Sequence, residues 1–222
     1  ARTILDFLAA ILYIEAIKRS DLSLVLPMLS LTPLFLLITG LVINGEWPSN
    51  FGLAGVLLII LGTYWLNFNS RQKNILAPFQ AIYRDRGRLF MLGVAIIWAG
   101  TSSLHSLAIR HSSASFYTGA SSVALASMFT VVALIFYRQE LANSFRPRQL
   151  IALAPLGLFH GLTAITQMLA QNLSLAVLVI SVKRTSVIFS ALLGWLFFRE
   201  KVATRLFPIA LMLGGVGLIA LF

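Results

Sequence analysis

Two adjacent cations, Lys183 and Arg184, lie inside the long apolar stretch 177–201. A cation at the centre of a membrane costs about 2.5–3.5 kcal/mol on insertion scales, and such residues usually face a protein-lined cavity. The pair lies about seven residues into its predicted helix, which corresponds to a depth of about 10 Å. Snorkelling of both side chains to the nearer surface is the alternative. We interpret Lys183 and Arg184 as a candidate site for an anionic group.

Four further polar or aromatic residues in apolar segments are candidates for the same site. Asp6, in the first segment, is a candidate counter-ion of the pair or a coupling group. His160, in the sixth, is a candidate substrate ligand that could exchange a proton near neutral pH, and a hydrogen-bonded core histidine is the alternative. Trp98 and His105 are seven residues apart and share one helix face, which fits a substrate-binding cavity wall and helix packing equally well.

The composition is that of a membrane protein. The chain has 222 residues, of which 59% are hydrophobic and 11% charged, too few polar groups to cover a soluble domain. The formal net charge is +10, but the cations separate apolar runs and form no basic face with interleaved aromatics, so no nucleic-acid partner is expected. Cysteine is absent and the three histidines lack metal-ligand spacing. We therefore expect no metal and no cofactor.

Eight apolar segments are each close to the length of about 20 residues that crosses a bilayer as a helix. They cover residues 3–17, 23–44, 50–68, 89–109, 114–137, 149–171, 176–198 and 204–222. Lysine and arginine concentrate in the odd-numbered loops, while the even-numbered loops hold only Arg110. The positive-inside rule places the odd loops in the cytoplasm and both visible termini outside. We expect a multi-pass protein of the cytoplasmic membrane.

The chain matches itself weakly at a shift of 154 residues. The shift pairs Gly40 with Gly194 and Glu46 with Glu200, over three predicted helices. Glu46 lies in an even loop and Glu200 in an odd one, so the two copies cross the membrane in opposite senses. Inverted repeats of this kind are typical of alternating-access transporters, whose binding site lies between the repeats. If the copies are equal in length, about two helices precede Ala1.

The segment from 20 to 67 resembles the EamA repeat of the drug/metabolite transporter superfamily. The similarity lies in a mid-span proline, a Gly-Glu pair in the following loop and a glycine-spaced closing helix, and residues 181–201 and 211–221 resemble the same repeat. The resemblance implies an all-α bundle of two inverted five-helix repeats, of which this chain shows eight helices and lacks the first two. Residues 1–68 would be a partial first repeat, 69–87 a connecting loop and 88–222 the second repeat.

The resemblance also implies a function. Lys183 and Arg184 look like the Lys-Arg pair with which the triose-phosphate and nucleotide-sugar branch binds a substrate phosphate. We expect a secondary transporter, an exporter of a small anionic or zwitterionic metabolite, with protons as a second candidate partner and a monomer or homodimer as the assembly. The alternatives are a proton-coupled exporter of neutral or amphipathic compounds, a non-transporting membrane subunit, and a lipid-modifying enzyme. The acidic residues are scattered singly, so we expect no enzyme.

Overall fold

The computed structural model describes residues 2–20, 25–66, 85–110, 112–139, 147–186, 188–189 and 206–221, and these ranges contain helices and no β-strand. The fold of this part of the chain is all-α, as predicted. The α-helices are α1 (Arg2–Arg19), α2 (Thr32–Asn44), α3 (Asn50–Leu66), α4 (Arg86–Arg110), α5 (Ala114–Phe136), α6 (Pro147–Leu173), α7 (Ala176–Arg184) and α8 (Leu206–Leu221), with a 3₁₀ segment at Leu26–Leu31 before α2.

Three helices within the described ranges are long and apolar enough to cross a membrane, namely Arg86–Ile109, Ser115–Phe136 and Pro147–Leu173. Shorter apolar helices cover Met28–Asn44, Asn50–Trp65 and Leu206–Leu221. Helix α1 differs from both groups because five charged residues stand at or near its two ends. The eight transmembrane helices therefore stay a prediction, although every predicted apolar segment contains a helix.

Helix α4 lies at the centre of the described core. One cluster packs its residues Met91, Val94 and Ala95 against α1 and the 3₁₀ segment. A second cluster brings Ala99 of α4 together with apolar residues of α2, α3 and α7. Burying these side chains favours the folded state by about 25 cal/mol per Å² of apolar surface only where the alternative is water, so in a bilayer close packing provides more of the stability.

Helices α3 and α8 touch through their backbones. A Cβ added to Gly55 would lie 2.6 Å from the carbonyl oxygen of Gly215, and a Cβ on Gly215 would lie 2.6 Å from that of Gly55. No side chain larger than hydrogen fits at either place. Further along, Gly62 faces Pro208, and the rings of Trp65 and Phe207 lie 5.3 Å apart. From Gly55 to Trp65 the residue numbers increase along α3, while those of their partners on α8 decrease from Gly215 to Phe207. The two helices therefore run antiparallel.

This antiparallel orientation is what an inverted repeat requires, because the shift of 154 residues places α3 over α8. The superposition of the two copies stays a prediction, as do the domain boundaries. Gly194 and Glu200, on which the repeat depends, lie outside the described residues, and so does most of the predicted connecting loop. In the first copy, Gly45 ends α2 with φ of 66°, a left-handed conformation that glycine adopts without strain.

The end of α1 is tied to the start of α4 by one carboxylate. Asp85 accepts hydrogen bonds from the Ser20 hydroxyl and from the Gly87 N–H, and it pairs with Arg88 at 3.3 Å. Burial opposes the charged form of Asp85, but the bonds from Ser20, Gly87 and Arg88 prevail and lower the pKa of its carboxyl. A Cβ on Gly87 would collide with Ser20 and lie 2.9 Å from the carbonyl oxygen of Ala16.

Candidate functional site

The second predicted span is divided where its two prolines predict a break. Pro33 has no N–H, so the Leu29 carbonyl lacks the donor that an unbroken helix would supply. The backbone N–H of Thr32 and its hydroxyl both turn to that carbonyl, the hydroxyl at 2.7 Å. The segment before Thr32 is a 3₁₀ helix, and α2 begins at Thr32. The span therefore changes helix type at Thr32.

Arg184 reaches this break from α7. Its Nη2 donates a hydrogen bond of 2.9 Å to the Thr32 hydroxyl oxygen. Because the Thr32 proton is used on Leu29, its oxygen is left to accept from the guanidinium. The Nε of Arg184 is buried and has no hydrogen-bond partner among the described residues. Arg184 is therefore held at one edge, with part of its donor capacity unused.

Lys183 points to a different neighbour. Its Nζ donates to the side-chain oxygen of Gln167 on α6 at 2.6 Å, and the side chain as a whole is exposed. Adjacent helical residues point about 100° apart, which explains why the two cations contact different helices. Within the described part of the chain, neither Lys183 nor Arg184 has a carboxylate within ion-pair distance. Two cations thus stand in the bundle without a described negative partner.

A second group of charges, the Asp6 cluster, consists of Arg2, Asp6, His105, Tyr117 and Met168. Arg2 pairs with Asp6 at 2.9 Å, one helical turn away, and donates a hydrogen bond of 3.0 Å to the Tyr117 hydroxyl. Its guanidinium also lies over the Tyr117 ring at 5.2 Å. The ion-pair partner of Asp6 is therefore Arg2, and not Lys183 or Arg184 as the sequence analysis had it.

His105 joins this cluster from α4. Its Nε2 lies 4.0 Å from the Asp6 carboxylate, and its Nδ1 lies 2.9 Å from the sulfur of Met168 on α6. The Tyr117 ring meets the imidazole edge-on at 5.5 Å. The Thr101 side chain, one turn before His105, lies close to the Asp6 carboxylate. Four helices thus contribute to one buried polar group, and His105 is its only titratable imidazole among the described residues.

The other two predicted site residues lie elsewhere. Trp98 stacks on Tyr13 of α1 at 6.0 Å, so it packs α4 against α1. His160 is exposed on α6, two turns before Gln167 and on the same face of that helix. The structure therefore brings His105 and Asp6 together in one group, places Lys183 and Arg184 in another, and leaves His160 outside both groups of described residues.

Arg2, Thr32 and Met168 are among the residues of these groups that were not assigned from the sequence, and the first two have a local signal. Arg2 stands four residues before Asp6, the spacing of an ion pair on a helix surface. Thr32 directly precedes Pro33, where a side-chain hydroxyl commonly replaces the missing backbone donor. Met168 has no such signal, because a thioether in an apolar helix usually fills space.

A cavity of about 390 Å³ opens where α6 ends and α7 begins. It is lined by residues 171–175 and by Ile109 at the end of α4. Gln171 is buried, and neither amide atom has a hydrogen-bond partner among the described residues. Across the described part of the chain, no three His, Cys, Asp or Glu side chains are placed to hold a metal ion. The cavity shares α6 with both polar groups but has no charge of its own.

Comparison with known proteins identifies the family. The model of the EamA-like transporter family matches residues 2–68 and 85–222, which is most of the chain. No curated protein matches the chain significantly. The family consists of membrane transporters of the drug/metabolite superfamily rather than enzymes, and the long apolar helices are those of an integral membrane protein. With a match over nearly its whole length, the chain belongs to the EamA-like transporter family.

Proposed function

We propose that the protein is a secondary transporter, an exporter of a small anionic or zwitterionic metabolite, working by alternating access in the cytoplasmic membrane. One observation carries the proposal. Arg184 is anchored by Thr32 at a helix break while its Nε has no partner among the described residues, and no described carboxylate neutralises Arg184 or Lys183. Interrupted helices next to a charged group are a common way to build a transporter site near the midplane.

The charges favour an anion as the substrate. A buried cation without a counter-charge costs several kcal/mol, and Asp6 is already paired with Arg2. An anionic group that enters the bundle would supply the missing negative charge. Arg184 offers planar guanidinium donors, and Lys183 offers a point charge that Gln167 holds in place. Phosphate and carboxylate oxygens are suitable acceptors for either donor, in keeping with the resemblance of the pair to the phosphate-binding one.

Inorganic phosphate is a suitable probe because the natural substrate is unidentified. The complete protein, reconstituted in liposomes, is expected to take up labelled phosphate and to gain thermal stability when phosphate is added. The double variant Lys183→Gln, Arg184→Gln should lose at least about tenfold in affinity, since hydrogen bonds to charged groups contribute about 1.5–3 kcal/mol.

Lys18→Gln is the matched control, because Lys18 is an exposed lysine paired with Glu15 at the end of α1. It should leave phosphate binding unchanged. Normal binding and transport by the double variant, with correct insertion, would contradict the anion site. The proton-coupled export of neutral or amphipathic compounds would then be the better proposal, and the contact between Asp6 and His105 is the observation that favours it.

A further inference from the structure

Helix α6 contacts both Lys183 and the Asp6 cluster, and two consecutive residues make the contacts. Gln167 accepts the hydrogen bond from Lys183, and Met168 contacts His105. We propose that His105 is a proton-binding site and that α6 links its proton to the anion at Lys183 and Arg184. The link rests on the function proposed above, whereas the proton site stands on its own contacts.

The geometry leaves one ring nitrogen of His105 free to take the proton. A thioether sulfur has no proton to donate, so Nδ1 carries the hydrogen in the contact of 2.9 Å with Met168. Nε2 is then unprotonated in the neutral ring. A proton arriving from water forms the second N–H bond at Nε2, which faces the Asp6 carboxylate 4.0 Å away. The same proton returns to water when the ring becomes neutral.

The charges around His105 favour a reversible change. From α1 it faces Asp6, which Arg2 neutralises, and from α5 and α6 it faces the uncharged Tyr117 and Met168. The cluster is neutral when His105 is neutral and carries one positive charge when it is protonated. Burial opposes the charged ring, and the Asp6 carboxylate favours it. Arg2 and protonated His105 would share that carboxylate, so a small movement of α1 or α6 shifts the balance between them.

Helix α6 can carry this change to the cation pair. Gln167 and Met168 point about 100° apart on the same helix, so a rotation that alters one contact alters the other. A protonated His105 also adds positive charge behind Lys183, which attracts an anion more strongly. Linkage is reciprocal, so a bound anion must raise the proton affinity of His105 by the same factor. Proton and anion therefore bind together, and export would carry both in the same direction rather than exchange the anion against protons.

The test follows the histidine rings directly by nuclear magnetic resonance of the complete protein in lipid nanodiscs. The chain has three histidines, and His111→Gln and His160→Gln assign their signals. We expect the signals of the His105 ring to show that it takes up a proton as the solution is acidified. Added inorganic phosphate should raise its proton affinity by about fivefold, the lower end of usual coupling strengths. Lys183→Gln with Arg184→Gln should abolish that increase.

Two variants separate the proton site from the rest of the fold. Arg2→Gln with Asp6→Asn keeps the cluster free of unpaired charge, and it should move the His105 titration to more acidic solution. Met168→Leu removes the sulfur at similar volume, and it should weaken the effect of phosphate on His105. A His105 ring that stays neutral as the solution is acidified would overturn the proton site.

The remaining outcomes distinguish the link from the proposed function. If phosphate binds and the His105 titration does not respond, the link through α6 is wrong and the anion site stands. If phosphate does not bind at all while His105 titrates, the anion site is wrong, and the link fails with it. Response of His105 to phosphate that persists in the Lys183→Gln, Arg184→Gln variant would also overturn the link.

Discussion

The two ends of the α1–α4 pair contain the same kinds of residue in different states. At one end, Asp85 pairs with Arg88, three residues further along the chain, and accepts a hydrogen bond from the Ser20 hydroxyl at the end of α1. At the other end Asp6 has Arg2 four residues away and Thr101 from the partner helix. Asp85 also caps backbone N–H groups, whereas Asp6 faces His105. The carboxylate of Asp85 joins α1 to α4, whereas the carboxylate of Asp6 also faces the titratable imidazole of His105.

The glycines of α4 differ in the space around them. At Gly87 a Cβ would collide with α1. At Gly93 the nearest atom, from Leu12, lies 3.8 Å from an added Cβ, and at Gly100 nothing lies within 4 Å. Gly87 and Gly100 point about 140° apart on α4, so the two positions face different surroundings.

The largest effect is expected from Asp85→Ala. The change removes a helix cap and leaves Arg88, whose side chain is 8% exposed, without its partner. We expect a loss of about 2–4 kcal/mol in the free energy of unfolding. Unfolding in detergent measures it. Glu15→Ala is the control, because its pairs with Lys18 and Arg19 are exposed and should contribute less than about 1 kcal/mol. Equal losses of stability in the two variants would show that Asp85 contributes no more than an exposed surface acid.

Gly87→Ala should cost about 1–3 kcal/mol, because the new methyl group collides with Ser20 and pushes α1 away from α4. Gly100→Ala lies on the same helix where an added Cβ has no neighbour within 4 Å, and it should be neutral or slightly stabilising, since alanine is a better helix former by about 1 kcal/mol. Thermal unfolding of both variants tests this difference. A reversed order would show that α1 and α4 are not in close contact at Gly87.

Ser20→Ala should cost about 1 kcal/mol through one lost hydrogen bond to Asp85. It should leave the His105 titration unchanged. Thr101→Ala removes the corresponding contact at Asp6, with a loss of stability of similar size, but it should change that titration. The pair of variants, measured for both properties, sharpens the contrast between a structural acid and a coupling acid. A change in the His105 titration caused by Ser20→Ala would contradict this contrast.

The smallest effect is a dependence of stability on acidity. The pKa of Asp85 is lowered in the folded protein, so its contribution is present above the ordinary aspartate pKa of about 3.9 and is lost as the pH falls through the lowered value. Unfolding measured from pH 6 down to pH 3 should show this loss. Asp85→Asn should flatten the profile in that range. An unchanged profile would assign the acid sensitivity to other carboxylates.

The sequence predicted the class of fold because runs of apolar residues this long leave helices as the option in a membrane. It also selected Lys183, Arg184, Asp6 and His105, since polar residues at such positions are rare. It did not predict partners. The pairing of Asp6 with Arg2 was open to the four-residue rule, but the contact of His105 with Met168 joins residues 63 positions apart. Which of two helices a polar side chain meets depends on tertiary packing, which no local pattern contains.

The glycine contact between α3 and α8 has a consequence for how the protein is made. Thr63 and Met212, within the same interface, are 149 residues apart in the chain. At about 5–20 residues per second, α3 waits on the order of ten seconds or more in the bilayer before α8 is synthesised. During that time its bare backbone at Gly55 must be covered by lipid or by the insertion machinery. Because this contact can form only after α8 is synthesised, the pairing of α3 with α8 would be one of the last steps of membrane assembly.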